Sequence, residues 1–139
     1  MLSKTSQYAL RALVFLAQHE RDWPISGVKI AAETRIPAKY LSKIMGDLVR
    51  AGVLESTRGL GGGFRMADSP TKVSLLDVMA PFEMVLSNRR SCPFSSGRCS
   101  DHNPCKGHEA WKKVRQTFEE FLSKTSVHQV AVGRPTKTG

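Results

Sequence analysis

From Ser6 to His19 apolar residues recur at Leu10, Leu13, Val14 and Ala17. This is the i, i+3, i+4, i+7 spacing of one helical face, and it predicts a first helix with those residues turned inward. Asp22, Trp23 and Pro24 end the pattern. Ser26 then offers its hydroxyl to the free amides at the start of a second helix, with Ile25 and Ile30 at the staple positions on either side. That helix is short, over 27–34, because Arg35, Ile36 and Pro37 interrupt it and Pro37 suits the opening of another. The third helix has Leu41, Ile44, Met45 and Leu48 as its buried face, and Gly52 stands just past Ala51 where a left-handed cap is needed. Two short helices joined by a tight turn make a helix-turn-helix.

Beyond Gly52 the period changes. Val53–Thr57 and Phe64–Ala67 are short strand-like runs separated by Arg58-Gly59-Leu60-Gly61-Gly62-Gly63, a hairpin with a glycine-rich tip. A helix-turn-helix followed at once by such a hairpin has the order of a winged helix. Ser74 caps a further helix with Leu75, Leu76, Val78 and Met79, ending before Pro81. Residues 87–107 hold no sustained period and contain all three cysteines, an unusually long loop unless something ties it down. From Glu109 a long helix resumes, with Trp111, Val114, Phe118, Phe121 and Leu122 on one side and Lys112, Lys113, Arg115, Glu119 and Glu120 on the other. The apolar set exceeds what a small winged domain needs to cover itself, so a symmetric partner helix is the economical occupant; the alternative is a stripe packed only on its own domain. The expected fold is therefore mainly α with a small β-hairpin wing: a winged helix-turn-helix over 1–86, a cysteine-containing loop over 87–108, a dimerisation helix region over 109–132 and a disordered tail over 133–139.

Composition narrows the function. The chain has 139 residues, one domain's worth, with 21 Lys and Arg against 12 Asp and Glu, a net charge of +9. That excess favours a polyanionic partner. No run approaches the ~18 apolar residues of a spanning helix, so no membrane role is expected. Ala9–Ala17 contains Arg11 and leads into Gln18, His19 and Glu20, unlike a secretory signal. A reducing compartment is expected, and an odd number of cysteines cannot all pair within one chain.

Lys39, Tyr40, Lys43 and Arg50 lie off the buried face of the third helix and reach outward. An isolated basic helix is most simply a solvated face. Here the context reverses that reading, because seven basic and three acidic residues lie between Lys29 and Arg65, and the second helix of a helix-turn-helix enters the major groove. The hairpin tip carries Arg58 with Arg65 close behind; glycines let its backbone approach a duplex, and arginine suits the negative potential of a narrow minor groove. A phosphate cradle for a nucleotide would need a helix after the glycines, and a strand follows instead. In the loop, Cys92, Cys99, Cys105 and His108 concentrate thiolates and an imidazole. Iron-sulfur ligation, structural zinc and metal-free thiol chemistry are the alternatives. Spacing favours a cluster, since zinc sites take ligands paired two to four residues apart and only Cys105 and His108 are so spaced. His102 is a spare candidate; nothing converges on His19 or His128.

Arg58-Gly59-Leu60-Gly61-Gly62-Gly63-Phe64, following Tyr8-Ala9-Leu10, Tyr40-Leu41 and Ala51-Gly52-Val53-Leu54 and preceding the three-cysteine loop and Trp111, resembles the Rrf2 family of bacterial transcription regulators in its cluster-sensing, IscR and NsrR type. The likeness runs to about Ala131. It implies a cytoplasmic homodimer, not an enzyme, that binds double-stranded operator DNA, usually for repression, with the state of an iron-sulfur cluster setting which operators are bound. By resemblance, Cys92, Cys99 and Cys105 match the cluster ligands, and His108 the histidine that completes the site. Arg58 matches the wing arginine of the minor groove, beside Gly61, Gly62 and Arg65, while Lys39, Tyr40, Ser42 and Lys43 fall in the recognition helix. Two departures stand out: the first cysteine gap is one residue longer, and Gln7 replaces a first-helix aspartate that serves as a ligand from the partner subunit. An amide is a poor iron ligand, so His108 is favoured and with it a 2Fe-2S cluster, a 4Fe-4S cluster with an exogenous ligand being the alternative. Other function classes are a zinc- or thiol-sensing DNA-binding regulator, an iron-sulfur electron carrier and a protein-interaction adaptor. Colour after anaerobic purification and salt-dependent binding to a specific duplex discriminate among them.

Overall fold

The computed structural model describes residues 2–83 and 106–132. Helix α1 spans Lys4–Gln18; Ser3 caps it by accepting the Ser6 amide at 3.1 Å, and the Trp23 indole closes its far end by donating to the Leu16 carbonyl at 2.9 Å. The face that α1 buries is Ser6, Ala9, Ala12, Leu13 and Leu16, which corrects the expected inward set. Of that set only Leu13 is fully enclosed, while Leu10, Val14 and Ala17 sit half-buried. The reason is that α1 is wrapped by several elements, and small residues face its closest neighbours.

Helix α2 (Gly27–Thr34) starts from Ser26, whose hydroxyl accepts the Lys29 amide at 3.2 Å. It ends at Arg35, which takes a left-handed conformation with φ of +59°. Helix α3 (Ala38–Arg50) buries Leu41, Ile44, Met45 and Leu48 as its period requires. It stops in a Schellman motif, with Val53 N–H donating to Leu48 and Gly52 N–H to Val49, both at 3.0 Å, around a Gly52 φ of +81°.

Strands β1 (Leu54–Thr57) and β2 (Gly63–Met66) pair antiparallel, with Leu54 opposite Met66 and Glu55 opposite Arg65. Leu54 and Met66 point into the core, anchoring the wing to the helices. Ile25, just before α2, adds a third short rung: its amide donates to the Phe64 carbonyl at 3.0 Å and its carbonyl accepts the Phe64 amide at 2.8 Å. This rung has no strand-like signal in the sequence.

Helix α4 (Leu75–Met79) is held by a reciprocal capping box between Ser74 and Asp77. The region expected over 109–132 as the dimerisation helix region holds two helices, α5 (His108–Lys124) and α6 (Val127–Ala131). Thr125 breaks them apart in an extended conformation, its carbonyl accepting the Leu75 amide at 2.9 Å, and Ser126 starts a new capping box with Gln129. Val127 then donates to Val73 at 2.9 Å and Gln18 to Ala131 at 3.1 Å, so the segment after α5 folds back onto α1 and α4. One buried cluster runs from Ala9 and Leu16 through the α3 face to Leu122 and Val127. Helix and hairpin together form a winged helix-turn-helix, as expected. The expected tail over 133–139 lies outside the described residues.

Candidate nucleic-acid interface and sensor region

With Leu41, Ile44, Met45 and Leu48 committed to the core, α3 presents Lys39, Tyr40, Ser42 and Lys43 to solvent. Neither lysine forms an ion pair among the described residues, whereas Arg50 is held by Asp47 three residues back. Tyr40 is 56% exposed and rests edge-on against Tyr8, the ring centroids 6.1 Å apart at 71°. Tyr8 in turn lies under two cations, Arg11 at 5.4 Å and Lys4 at 5.8 Å from its ring centre. Arg11 also donates to the Thr34 carbonyl at 3.2 Å, tying α1 to the end of α2. The cationic surface thus extends from the recognition helix onto α1. Sequence reasoning missed Lys4 and Arg11 because nothing in a helical period says which neighbour a surface aromatic will meet.

The wing tip is a tight finger. Gly62 N–H donates to Gly59 at 2.9 Å, closing a turn around Leu60 and Gly61, with φ of +93° at Gly59 and +75° at Gly61. A Cβ on Gly62 would press on the Thr57 carbonyl and lie 2.8 Å from that of Gly59. Gly62 is therefore bare because the tip itself leaves no room, while Gly61 faces open space. Arg58 is exposed with no ion-pair partner among the described residues, but Arg65 lies 3.4 Å from Glu55 across the hairpin. Both of those side chains are more than half exposed, so this contact is weak and easily exchanged for phosphate.

Cys92, Cys99 and Cys105 lie outside the described residues. His108 opens α5 and is half-buried. Three thiols and an imidazole are chemically suited to hold an iron-sulfur cluster. The segment leading to the cysteines leaves beside the interface: Pro81 and Phe82 join Ser3, Thr5, Tyr40, Lys43 and Asp47 around a cleft of about 300 Å³. Glu83 accepts the Ser3 amide at 2.8 Å. Partial burial raises the Glu83 pKa, but hydrogen bonds from the Ser6 hydroxyl and from the amide and hydroxyl of Ser3 outweigh it and hold the carboxyl below its ordinary value.

The five residues expected to face a partner divide. Val114 is 48% and Phe121 57% exposed, with Phe118 and Trp111 half-buried beside them. Leu122 is a correction: it is buried in the core of its own protomer, because the face of α5 that meets α4 passes through it. No described helix is long and apolar enough to cross a membrane.

A family model described as Rrf2, iron-dependent transcriptional regulator, matches residues 2–133. An HTH-type transcriptional regulator of Aquifex aeolicus (strain VF5) is 32% identical over 129 residues, 91% of this chain and 88% of that one. Among solved structures, T. potens IscR superposes with a TM-score of 0.73 at 26% identity, covering 94% of this chain and 85% of that one. CymR, the global cysteine regulator of B. subtilis, superposes with a TM-score of 0.75 at 24% identity over 94% of this chain and 95% of that one, a likeness of fold.

Proposed function

Because this chain belongs to the Rrf2 family of transcriptional regulators, we propose that it is a cytoplasmic homodimer that represses by binding operator DNA, and that an iron-sulfur cluster on Cys92, Cys99, Cys105 and His108 sets that binding. The observation that carries the DNA reading is the pairing of two cationic elements that have no ion-pair partner among the described residues. These are Lys39 and Lys43 on the solvent face of α3, and Arg58 at the base of a slim wing. Lys39, Tyr40, Ser42 and Lys43 meet the major groove, and Arg58 enters the minor groove beside Gly61 and Gly62, with Arg65 released from Glu55 to phosphate.

Dimerisation falls to Trp111, Val114, Phe118 and Phe121, whose exposed apolar surface on α5 a two-fold copy would cover. A two-fold pair of recognition helices then reads half-sites one helical turn apart. The cluster, 2Fe-2S when His108 completes the site, would supply a redox- and iron-responsive cross-link of the loop. The iron-dependent character of the family supports that choice. The chain's own residues carry the consequence: the loop follows Glu83, which is tied to Ser3, and Pro81 and Phe82 just before it line a cleft with Tyr40 and Lys43, so tightening the loop would bear on the flank of the recognition helix.

The test is operator titration across salt with wild type, Arg58→Ala and Lys43→Ala, alongside anaerobic absorption and iron, sulfide and zinc analysis. Each variant should weaken binding. If Arg58 neutralised a phosphate, its loss would lower the salt slope by about 1, whereas a minor-groove role makes the loss depend on A·T content. Unchanged affinity in both variants refutes the docking. Zinc is the second reading, resting on Cys105 and His108 as the one pair with zinc-site spacing, and stoichiometric zinc without visible absorption would establish it.

A further inference from the structure

The wing tip contains a feature that charge does not explain. Between Gly59 and Gly63 the only side chain is that of Leu60, and it is fully exposed, at 109% of its reference surface. A lone exposed leucine by itself signifies little. This one sits at the apex of a finger whose shape is determined on every side. The turn beneath it is closed by the Gly62–Gly59 hydrogen bond at 2.9 Å, Gly59 and Gly61 hold positive φ on either flank, and Gly63 lies so close to the Ile25 backbone that a Cβ would fall 2.6 Å from the Ser26 amide nitrogen. The finger is thus slim and bare except for one isobutyl group, with the Arg58 guanidinium, which has no ion-pair partner among the described residues, at its base.

Resting on the DNA-binding reading above, we propose that Leu60 is an apolar minor-groove contact: the wing sets it against the sugar walls and floor of the groove, where it selects A·T over G·C pairs. The minor groove is about 6 Å wide, too narrow for a finger with side chains on both flanks, and a glycine-flanked turn meets that limit. Apolar side chains, leucine among them, do enter this groove in other proteins, where they press on the base steps. The floor of a G·C pair carries the guanine 2-amino group, which would collide with the leucine methyls and lose hydration against them; an A·T floor has no such group. Arg58 and Leu60 thereby divide the work, the cation responding to the potential and the leucine to the shape.

The test uses full-length protein and a duplex enriched by it from a random library, with the base pairs under the wing set to A·T, G·C or I·C. Inosine lacks the 2-amino group while keeping three-point major-groove similarity to guanine. Wild type should bind A·T and I·C alike and G·C about tenfold or more weakly, the scale of burying one leucine. Leu60→Ala should lose affinity for the A·T and I·C duplexes by a similar factor, narrow the A·T over G·C ratio to the part that Arg58 supplies, and leave both the salt slope and the thermal midpoint unchanged. Leu60→Met should restore discrimination. Wild-type levels of affinity and discrimination in Leu60→Ala overturn the proposal while leaving the DNA reading intact, and so does an I·C duplex that behaves as G·C. Failure of wild type to enrich any duplex overturns both.

Discussion

Replacing Gly63 by alanine tests how the wing is joined to the helix-turn-helix. Gly63 opens β2 at a φ of +152°, and its Cβ would run into the Ile25 carbonyl and lie 2.6 Å from the Ser26 amide nitrogen. Those atoms are backbone and cannot swing aside, so the Ile25–Phe64 rung has to open. Its two hydrogen bonds, at 3.0 and 2.8 Å, contribute about 0.5–1.5 kcal/mol each. Alanine at this φ adds about 1–3 kcal/mol of backbone strain, offset by about 0.4–1 kcal/mol from the stiffer unfolded chain. The expected loss is about 3 kcal/mol, within a range of about 1–6 kcal/mol. Gly61→Ala is the internal control: its φ of +75° lies in the left-handed region, where alanine is strained less than at +152°, and nothing lies within 4 Å of its Cβ, so only about 1 kcal/mol net is expected. Urea unfolding at one protomer concentration reads the difference. With a slope of about 2 kcal/mol/M, the Gly63→Ala midpoint should fall by about 1 M or more and the control by about half of that or less. Coincident midpoints for the two variants would refute the claim that the rung to Ile25 holds the wing.

Leu122→Ala should destabilise the protomer by about 2–5 kcal/mol in the same unfolding assay, as for any large-to-small change in a core, whereas Val114→Asp with Phe121→Asp should leave the fold intact and yield monomer by sedimentation. A monomeric Leu122→Ala that unfolds at the wild-type midpoint would reverse this assignment. Because the Glu83 carboxyl is held below its ordinary value, its contribution is fully present above the unfolded carboxylate pKa of about 4.3 and fades as pH falls through the lower folded value. Wild type should therefore exceed Glu83→Gln in stability by a constant margin near neutrality, and the margin should close in acid; a margin that grows on acidification would contradict the Ser3 and Ser6 hydrogen bonds. Replacing any one of Cys92, Cys99 or Cys105 by Ala should bleach anaerobically prepared protein, read by visible absorption.

Local chemistry determined most of what was legible in the sequence. Ser26 and Ser74 start helices because their hydroxyls meet amides three residues on, and Gly52 ends α3 because only a left-handed residue completes that cap. The face of α3 was legible too, since one strongly amphipathic helix has a single way to turn, and with it came the outward placement of Lys39, Tyr40 and Lys43. Chains with two apolar faces gave no such guidance. Helix α1 carries apolar residues most of the way round, so which of them are enclosed depends on the elements that α2, α3, α4 and α6 bring against it. Phe121 and Leu122 are neighbours of equal hydrophobicity, and only the packing of α5 on α4 sends one outward and the other into the core. The glycines of the wing read from sequence as a surface offered to DNA. The tertiary structure assigns Gly62 and Gly63 to contacts inside the protein, with the Thr57 and Ile25 carbonyls, and leaves Leu60 standing alone at the tip. The approach of Gly63 to Ile25 joins residues far apart in the chain, and a residue's own type and spacing carry no record of the backbone that will pass beside it.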